Sequence, residues 1–354
     1  MSKKSVFSAF PALRWAEEGF LPDFLLRSAI RILLRRRLAE ERRGGIEGET
    51  ERLEDWIRTL QASPIALRPE DANHQHYEQP PELFRIFLGP RLKYSSGFWP
   101  AGVEELSASE EAALQLVAER AGLADGQLIL DLGCGWGAFS LYAAEHYPSS
   151  RILAVSNSIA QAEWIREECR HRGIRQVMVE TADLNEYDTP HRFDRIVSVE
   201  MFEHVRNYSR LLKRLAQWGK SGARLFVHHF THRTLAYPFE NVGTTDWMAR
   251  EFFTGGQMPS ADLLLRFQED WRILDRWALS GRHYARTCRS WLERLDAGRP
   301  ELLTLFEKKS LNARREIGRW RLFLMACEEL FAFRGGNEWF VQHLLFEKKE
   351  SIGP

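Results

Sequence analysis

From Gln127 onward, short apolar runs alternate with segments of helical periodicity, the pattern of a parallel sheet wrapped by helices. The runs LILDL (128–132), RILAV (151–155), QVMVE (176–180), RIVSV (195–199) and ARLFVHH (223–229) predict five strands. WRILDRWA (271–278) and EWFVQHLLFE (338–347) predict a sixth and a seventh. The expected core is a doubly wound α/β sheet spanning 127–354. Between the last two strands lies a helical stretch containing LNARREIGRWRLFLMACEELFAF, which ends at Gly335-Gly336. This block, at about 279–336, is expected to form a helical cap over the sheet's carboxyl edge, where open α/β sheets bind ligands.

Residues 1 to about 70 read as a helical segment. In LPDFLLRSAIRILLRRRLAEERR, Phe24, Ala29, Leu33 and Leu34 recur at roughly helical spacing, and Gly44-Gly45 ends the run. Its seven arginines, Arg27 to Arg43, could meet a membrane surface or RNA, but the reading taken is a solvated face contacting acidic neighbours. Residues 71–126 form a covering segment, in which an aromatic-rich stretch, LFRIFLGPRLKYSSGFWP, leads into the helical EELSASEEAALQLVAERAGL.

Composition narrows the function. The 354 residues are 44% hydrophobic, with 49 basic and 49 acidic side chains, so nothing in the overall charge draws the chain to nucleic acid. Cys134, Cys169, Cys288 and Cys327 are far apart and form no Cys-x-x-Cys pair, which argues against a disulfide framework or a thiolate zinc site. With no signal-like or membrane-spanning run, a cytoplasmic location is the expectation.

The sharpest local signal is Asp131-Leu132-Gly133-Cys134-Gly135-Trp136-Gly137, directly after a strand and before a helix. Glycines let such a turn fold tightly and a ligand approach the backbone. A nicotinamide-binding turn and a purely structural turn are the alternatives. Asp131, two residues before the first glycine, suits the ammonium of a methionine moiety at the pocket floor better than a pyrophosphate. The second strand ends in Val155-Ser156-Asn157, without the acid a dinucleotide fingerprint needs. S-adenosylmethionine is therefore preferred to NAD.

The fourth strand runs into Glu200-Met201-Phe202-Glu203-His204. If a helix begins at once, Glu200, Glu203 and His204 fall at offsets 0, 3 and 4 and face one way. Such a cluster suits an amine: carboxylates attract the ammonium, and either His204, with an ordinary pKa near ~6.5, or a carboxylate raised by its neighbour could remove the proton. The alternative is a helix-start glutamate with a packing histidine. His228, His229 and His232 invite a metal reading, which is not adopted because neighbouring strand residues face opposite sides.

The chain resembles the cyclopropane-fatty-acyl-phospholipid synthase superfamily and, within it, the coclaurine N-methyltransferase-like branch. The resemblance rests on HYE, KYSSGFW, LDLGCGWG, AVSNSIAQAEWI, VEMFEHVRNY, LFVHHFTHRTLAYPFE, WALSGRHYARTCRSWLERLD and EWFVQHLLFEKK, and runs over nearly the whole length. It implies a class I SAM-dependent methyltransferase fold, Rossmann-like with a seven-stranded sheet. It also implies that Tyr94, Ser95, Gly133 and Gly135 hold the methionine end of the cofactor, that Ser156, Asn157 and Gln161 hold the ribose, and that Asp183, Leu184 and Val199 surround the adenine.

The same resemblance bears on the methyl acceptor. Lipid-modifying members usually carry a glycine where this chain has Glu200, whereas the alkaloid N-methyltransferases carry glutamate. A small amine, aromatic or alkaloid-like, is therefore the expected substrate and partner. The alternative is a lipid-modifying C-methyltransferase or cyclopropane-fatty-acyl-phospholipid synthase, the one case in which membrane contact is expected. That chemistry uses a bicarbonate shell, for which Ser96 replaces a cysteine while Glu203, His229 and Tyr284 match. Glu78 is a candidate second acid for the amine, and Cys327 a weak candidate nucleophile more simply read as a packing thiol. A homodimer is left open.

Overall fold

The computed structural model of the protein describes residues 11–67, 79–239, 247–309 and 311–350. Three helices open the described chain: α1 (Pro11–Glu17), α2 (Asp23–Glu41) and α3 (Gly45–Ala62). Two more, α4 (Pro81–Phe87) and α5 (Leu106–Ala121), precede the sheet. The N-terminal segment is thus three helices rather than one run, with Gly44 in the left-handed region between α2 and α3. The expected apolar face of α2 is also corrected. Phe24 and Leu33 are exposed, and Leu26 and Leu38 are the buried positions. Ile30 and the expected Leu34 pack beside them, so the buried row runs at four-residue spacing through Leu26, Ile30, Leu34 and Leu38.

The sheet contains β1 (Leu128–Leu132), β2 (Arg151–Ser156), β3 (Val177–Thr181), β4 (Phe193–Val199), β5 (Gly219–His232), β6 (Trp271–Leu279) and β7 (Trp339–Lys348). All seven expected runs are strands. Their order is β3-β2-β1-β4-β5-β7-β6, parallel from β3 to β5, with β7 antiparallel to both its neighbours. Helices α6 (Ala138–His146), α7 (Ile159–Arg172) and α8 (Tyr208–Trp218) make the crossovers. The central strands read as continuous apolar runs because helices bury them on both faces. Order reverses between β1 and β4, which places a crevice at their carboxyl ends.

Between β6 and β7 come α9 (Gly281–Ala297), α10 (Arg299–Lys308) and α11 (Ala313–Ala332). Helix α11 packs against α1, α2, α9 and α10. It approaches α1 so closely at Gly318 that a Cβ there would lie 1.7 Å from the Glu17 carbonyl oxygen. The arginines of α2 do contact acids: Arg27 and Arg31 reach Glu328 and Glu329 of α11, and Arg42 reaches Glu338. No described helix is long and apolar enough to cross a membrane.

Candidate active site

The turn after β1 is built by three glycines with φ of 79°, 53° and 81° at Gly133, Gly135 and Gly137, values that an L side chain rarely adopts. A Cβ on Gly133 would collide with Met201, whereas one on Gly135 would meet nothing within 4 Å. The second glycine therefore opens onto free space at the crevice. Asp131 lies beneath the turn, 2% exposed, where its Oδ2 accepts a hydrogen bond from Ser140 on α6 at 2.6 Å. Burial lifts its carboxyl to about 7. The structure gives Asp131 a bracing contact below the turn, not the open position at a pocket floor that its spacing suggested.

At the end of β2, Ser156 Oγ donates to Gln161 Oε1 at 2.8 Å and accepts from the Ser158 backbone N–H. Asn157 follows directly. Gln161 Nε2 is buried and has no hydrogen-bond partner among the described residues. A buried amide donor without an acceptor is costly, so this atom marks a place where an outside polar group belongs. Asp183 and Leu184 stand just past β3, where Asp183 Oδ1 accepts from Asn185 N–H. Val199 ends β4. Tyr94 lies in an aromatic cluster with Phe84 and Trp291, at centroid distances of 5.1 and 5.7 Å.

Glu200 does not begin a helix. It sits in the left-handed region, φ 50°, and a 3-10 turn follows at Phe202–His204. The three candidates are thus placed by a strand end and a tight turn, so the helical 0, 3, 4 spacing does not describe how they meet. Glu200 is held by three donors. Its Oε1 accepts from Ser96 N–H at 2.8 Å and lies 3.2 Å from His228 Nε2, and its Oε2 accepts from Tyr284 O–H at 2.5 Å. Burial pushes this carboxyl up, while Lys93, Ser96 and Tyr284 pull it down.

Burial acts on both residues of the turn beside Glu200. Glu203 is fully buried, its Oε1 accepting from Phe230 N–H at 2.6 Å and its Oε2 without a partner among the described residues. Burial and then the charge of Glu200 raise it well above the usual carboxylate range. Burial pushes His204 down to about 4, making it a neutral imidazole. Its ring stacks on Phe253, 5.5 Å between centroids. From there a wall of rings continues through Phe230 and Phe331 to Tyr284, at 5.9, 6.1 and 4.2 Å.

His229, expected beside the substrate, has its Nε2 3.1 Å from Gln342 Oε1 and still feels the charge of Glu200, while its strand neighbour His228 is the histidine in contact with Glu200. Cys327 lies behind Tyr284 against Cys288 on α9, a packing position. Glu78 lies outside the described residues. Among the described residues no cluster of His, Cys, Asp or Glu could hold a metal ion.

Sequence reasoning missed Lys93, His228 and Glu110. Lys93 is 3% exposed, and its ammonium donates to Ser95 Oγ and to the Ser96 carbonyl, at 2.7 and 2.5 Å. Glu110 on α5 accepts from the backbone N–H groups of Gly89 and Arg91, which anchors the start of the same segment. A lone lysine inside an aromatic stretch was the available signal.

Comparisons with known proteins agree with this geometry. Residues 66–339 match the mycolic acid cyclopropane synthetase family. The chain is 38% identical to the (S)-coclaurine N-methyltransferase of Thalictrum flavum subsp. glaucum over 95% of each sequence. It is 27% identical to the cyclopropane-fatty-acyl-phospholipid synthase of Escherichia coli, over 75% of this chain and 65% of that one. A crystal structure of coclaurine N-methyltransferase bound to N-methylheliamine and SAH superimposes with a TM-score of 0.92 at 36% identity, covering 95% of this chain and 99% of that one. With the sheet order, the glycine turn and the acid at the end of β4, these similarities show that the chain belongs to the mycolic acid cyclopropane synthetase family and, within it, to the coclaurine N-methyltransferase-like branch.

Proposed function

We propose that the chain transfers a methyl group from S-adenosylmethionine to the nitrogen of a small amine bearing an aromatic group, with Glu200 receiving the amine. The observation that carries this reading is the Glu200 carboxylate, gripped by Ser96, Tyr284 and His228 at the carboxyl edge of β4 and faced by a wall of aromatic rings. The residues present fit the cofactor. Gly135 leaves an approach to the backbone and Gln161 Nε2 offers an unmet donor, so Gly133, Gly135, Tyr94 and Ser95 would hold the methionine end and Ser156, Asn157 and Gln161 the ribose. Asp183, Leu184 and Val199 would flank the adenine. The cofactor, when bound, supplies an electrophilic methyl carbon on a sulfonium.

The chain's own residues supply charge, alignment and a place for a proton. An amine arrives as its ammonium, which Glu200 and the ring wall attract. Only the neutral nitrogen has a lone pair, so a proton must leave before the nitrogen–carbon bond forms and the sulfur–carbon bond breaks. Three groups are near. Burial and the charge of Glu200 disfavour the ionised form of Glu203, and His204, at about 4, is a weak base. Glu200, raised by burial but met by donors that favour its ionised form, is the acceptor this reading assigns. Alignment of nitrogen, carbon and sulfur contributes more than the proton transfer, since proximity effects reach roughly 7–11 kcal/mol.

The lipid alternative loses its footing at the same atoms. Ser96 and Tyr284, two of the four positions that match a bicarbonate shell, are spent on Glu200 itself. A buried carboxylate would also be costly to place against an acyl chain. The test is incubation with methyl-labelled cofactor against benzylisoquinolines, aryl-alkyl amines and unsaturated phospholipid. Label in the amines supports the reading, and label only in lipid overturns it.

A further inference from the structure

Four side chains form a continuous hydrogen-bonded line from the flank of the sheet to the acid at its edge. Arg120 Nη1 lies 2.9 Å from His343 Nδ1, His343 Nε2 lies 2.9 Å from His228 Nδ1, and His228 Nε2 lies 3.2 Å from Glu200 Oε1. Strand register builds this row. Val199 pairs with His228, His228 with His343, and His343 with Trp277. Directly paired residues share a face of the sheet, so the two imidazoles stand together, 4.7 Å between centroids. Arg120 reaches the row from α5, its guanidinium 4.7 Å from the centroid of the Trp277 ring.

One end of the line fixes every proton in it. A guanidinium can only donate, so His343 Nδ1 accepts and the ring's proton sits on Nε2. His228 Nδ1 must then accept in turn, which leaves its own Nε2–H aimed at Glu200. Both rings are buried, and burial together with Lys93 and Arg120 pushes them well below their ordinary value, so each is a neutral imidazole with a single N–H to place. Without Arg120, the donor that holds the His343 proton on Nε2 is gone, and only the acceptor at the far end, Glu200, is left to orient the line.

We propose that Arg120 and His343 are positioning residues for methyl transfer, holding His228 in the tautomer that donates to Glu200 and so keeping Glu200 a carboxylate for the incoming cation. This rests on the amine reading of the site. Glu200 is also faced by Lys93 from the segment before α5, Glu203 and His204 from the turn after β4, His229 from β5, and Tyr284 and Cys288 from α9. Donation to the ionised form favours it. Losing the His228 bond therefore raises the pH at which Glu200 takes up a proton, and the acidic limb of kcat/KM moves upward.

The test uses the full-length protein, labelled with 15N-histidine, and the variants Arg120→Met, His343→Leu and His343→Gln. Glutamine offers an acceptor toward Arg120 and a donor toward His228, so it can replace the imidazole in the line. Long-range 15N–1H spectra of the wild type should show the Nε2–H tautomer at both His228 and His343, and Arg120→Met should mix it. Arg120→Met and His343→Leu should move the acidic limb for an aryl-alkyl amine up by about half to one pH unit, a roughly three- to tenfold loss of kcat/KM below the limb. His343→Gln should keep the wild-type limb, and affinity for S-adenosylhomocysteine should hold in all three. An unmoved limb in Arg120→Met or His343→Leu, or an Nδ1–H tautomer at wild-type His228, overturns the proposal. If Arg120→Met fails to fold, the two His343 variants decide between a directional line and packing. If the wild type methylates no amine, the amine reading fails, and the tautomer of wild-type His228 still judges the line.

Discussion

The seam between α2 and α11 and the pocket around Glu200 use the same side-chain types to opposite ends. At the seam, Glu328 and Glu329 meet Arg27, Arg31 and Arg289 at 2.5–2.9 Å. Burial lifts Glu329, but Arg31 and Arg27 outweigh it and hold the carboxyl below the usual range. In the pocket burial wins: Glu200 is raised, Glu203 is raised well above its ordinary value, and the cation near them, Lys93, is pushed down to about 8. Charge that is matched inside the chain fixes two helices together. Charge that is kept under-matched, at a cost in stability, is disposed toward a cation from outside.

The two regions should also respond oppositely to pH. A carboxyl held low in the folded state stabilises the fold above its unfolded value and loses that contribution as pH falls through the folded one, which is the case of Glu329. A carboxyl raised in the folded state does the reverse, so the contribution of Glu203 falls as pH rises above its unfolded value.

The largest expected effect comes from Glu200→Gly. Glycine suits the φ of 50° there, so the variant should fold, yet amine methylation should drop by roughly 10²–10³-fold or more. Cofactor affinity, read by calorimetry with S-adenosylhomocysteine, should be largely kept. Retained amine turnover would erase the distinction between pocket and seam. Next is Gln161→Leu, which removes the unmet amide and should weaken cofactor binding by roughly tenfold, about the value of one good hydrogen bond, while the loss of the acceptor for Ser156 also lowers the melting temperature. At the seam the pattern inverts: Arg27→Met should cost about 1–2 kcal/mol, a fall of a few degrees in Tm that shrinks in acid, with kcat/KM nearly unchanged. A large loss of activity there would couple the two regions. The smallest effect is the most discriminating for the acceptor. Added bicarbonate should leave the rate unchanged, because Ser96 and Tyr284 already serve Glu200, and stimulation would return the lipid reading.

Much of this could be read from the linear chain. The apolar runs located all seven strands, the central ones being apolar throughout because both faces are buried while the edge strands β3 and β6 stay half-exposed, and the glycine spacing located the turn after β1. Glu200 was placed at the sheet's edge by its position directly after the fourth run. Local pattern failed wherever a contact was distant. On α2 the buried row is Leu26, Ile30, Leu34 and Leu38, a four-residue spacing present in the sequence but mixed there with Phe24 and Leu33, whereas its arginines find their acids some 300 residues away.

What the sequence by itself determined was the order of elements and the glycine turn, carried by periodicity and spacing, and, through the family resemblance, the presence of an acid where lipid-modifying members usually have glycine. Only the tertiary structure decided that Glu200 leaves the strand in a left-handed conformation, that His228 rather than His229 bonds to it, that Lys93 stands within its electrostatic reach, and that Arg120 meets His343. These depend on how strands pair in register and on which distant side chains burial brings together, and nearest-neighbour preferences along a chain do not encode either.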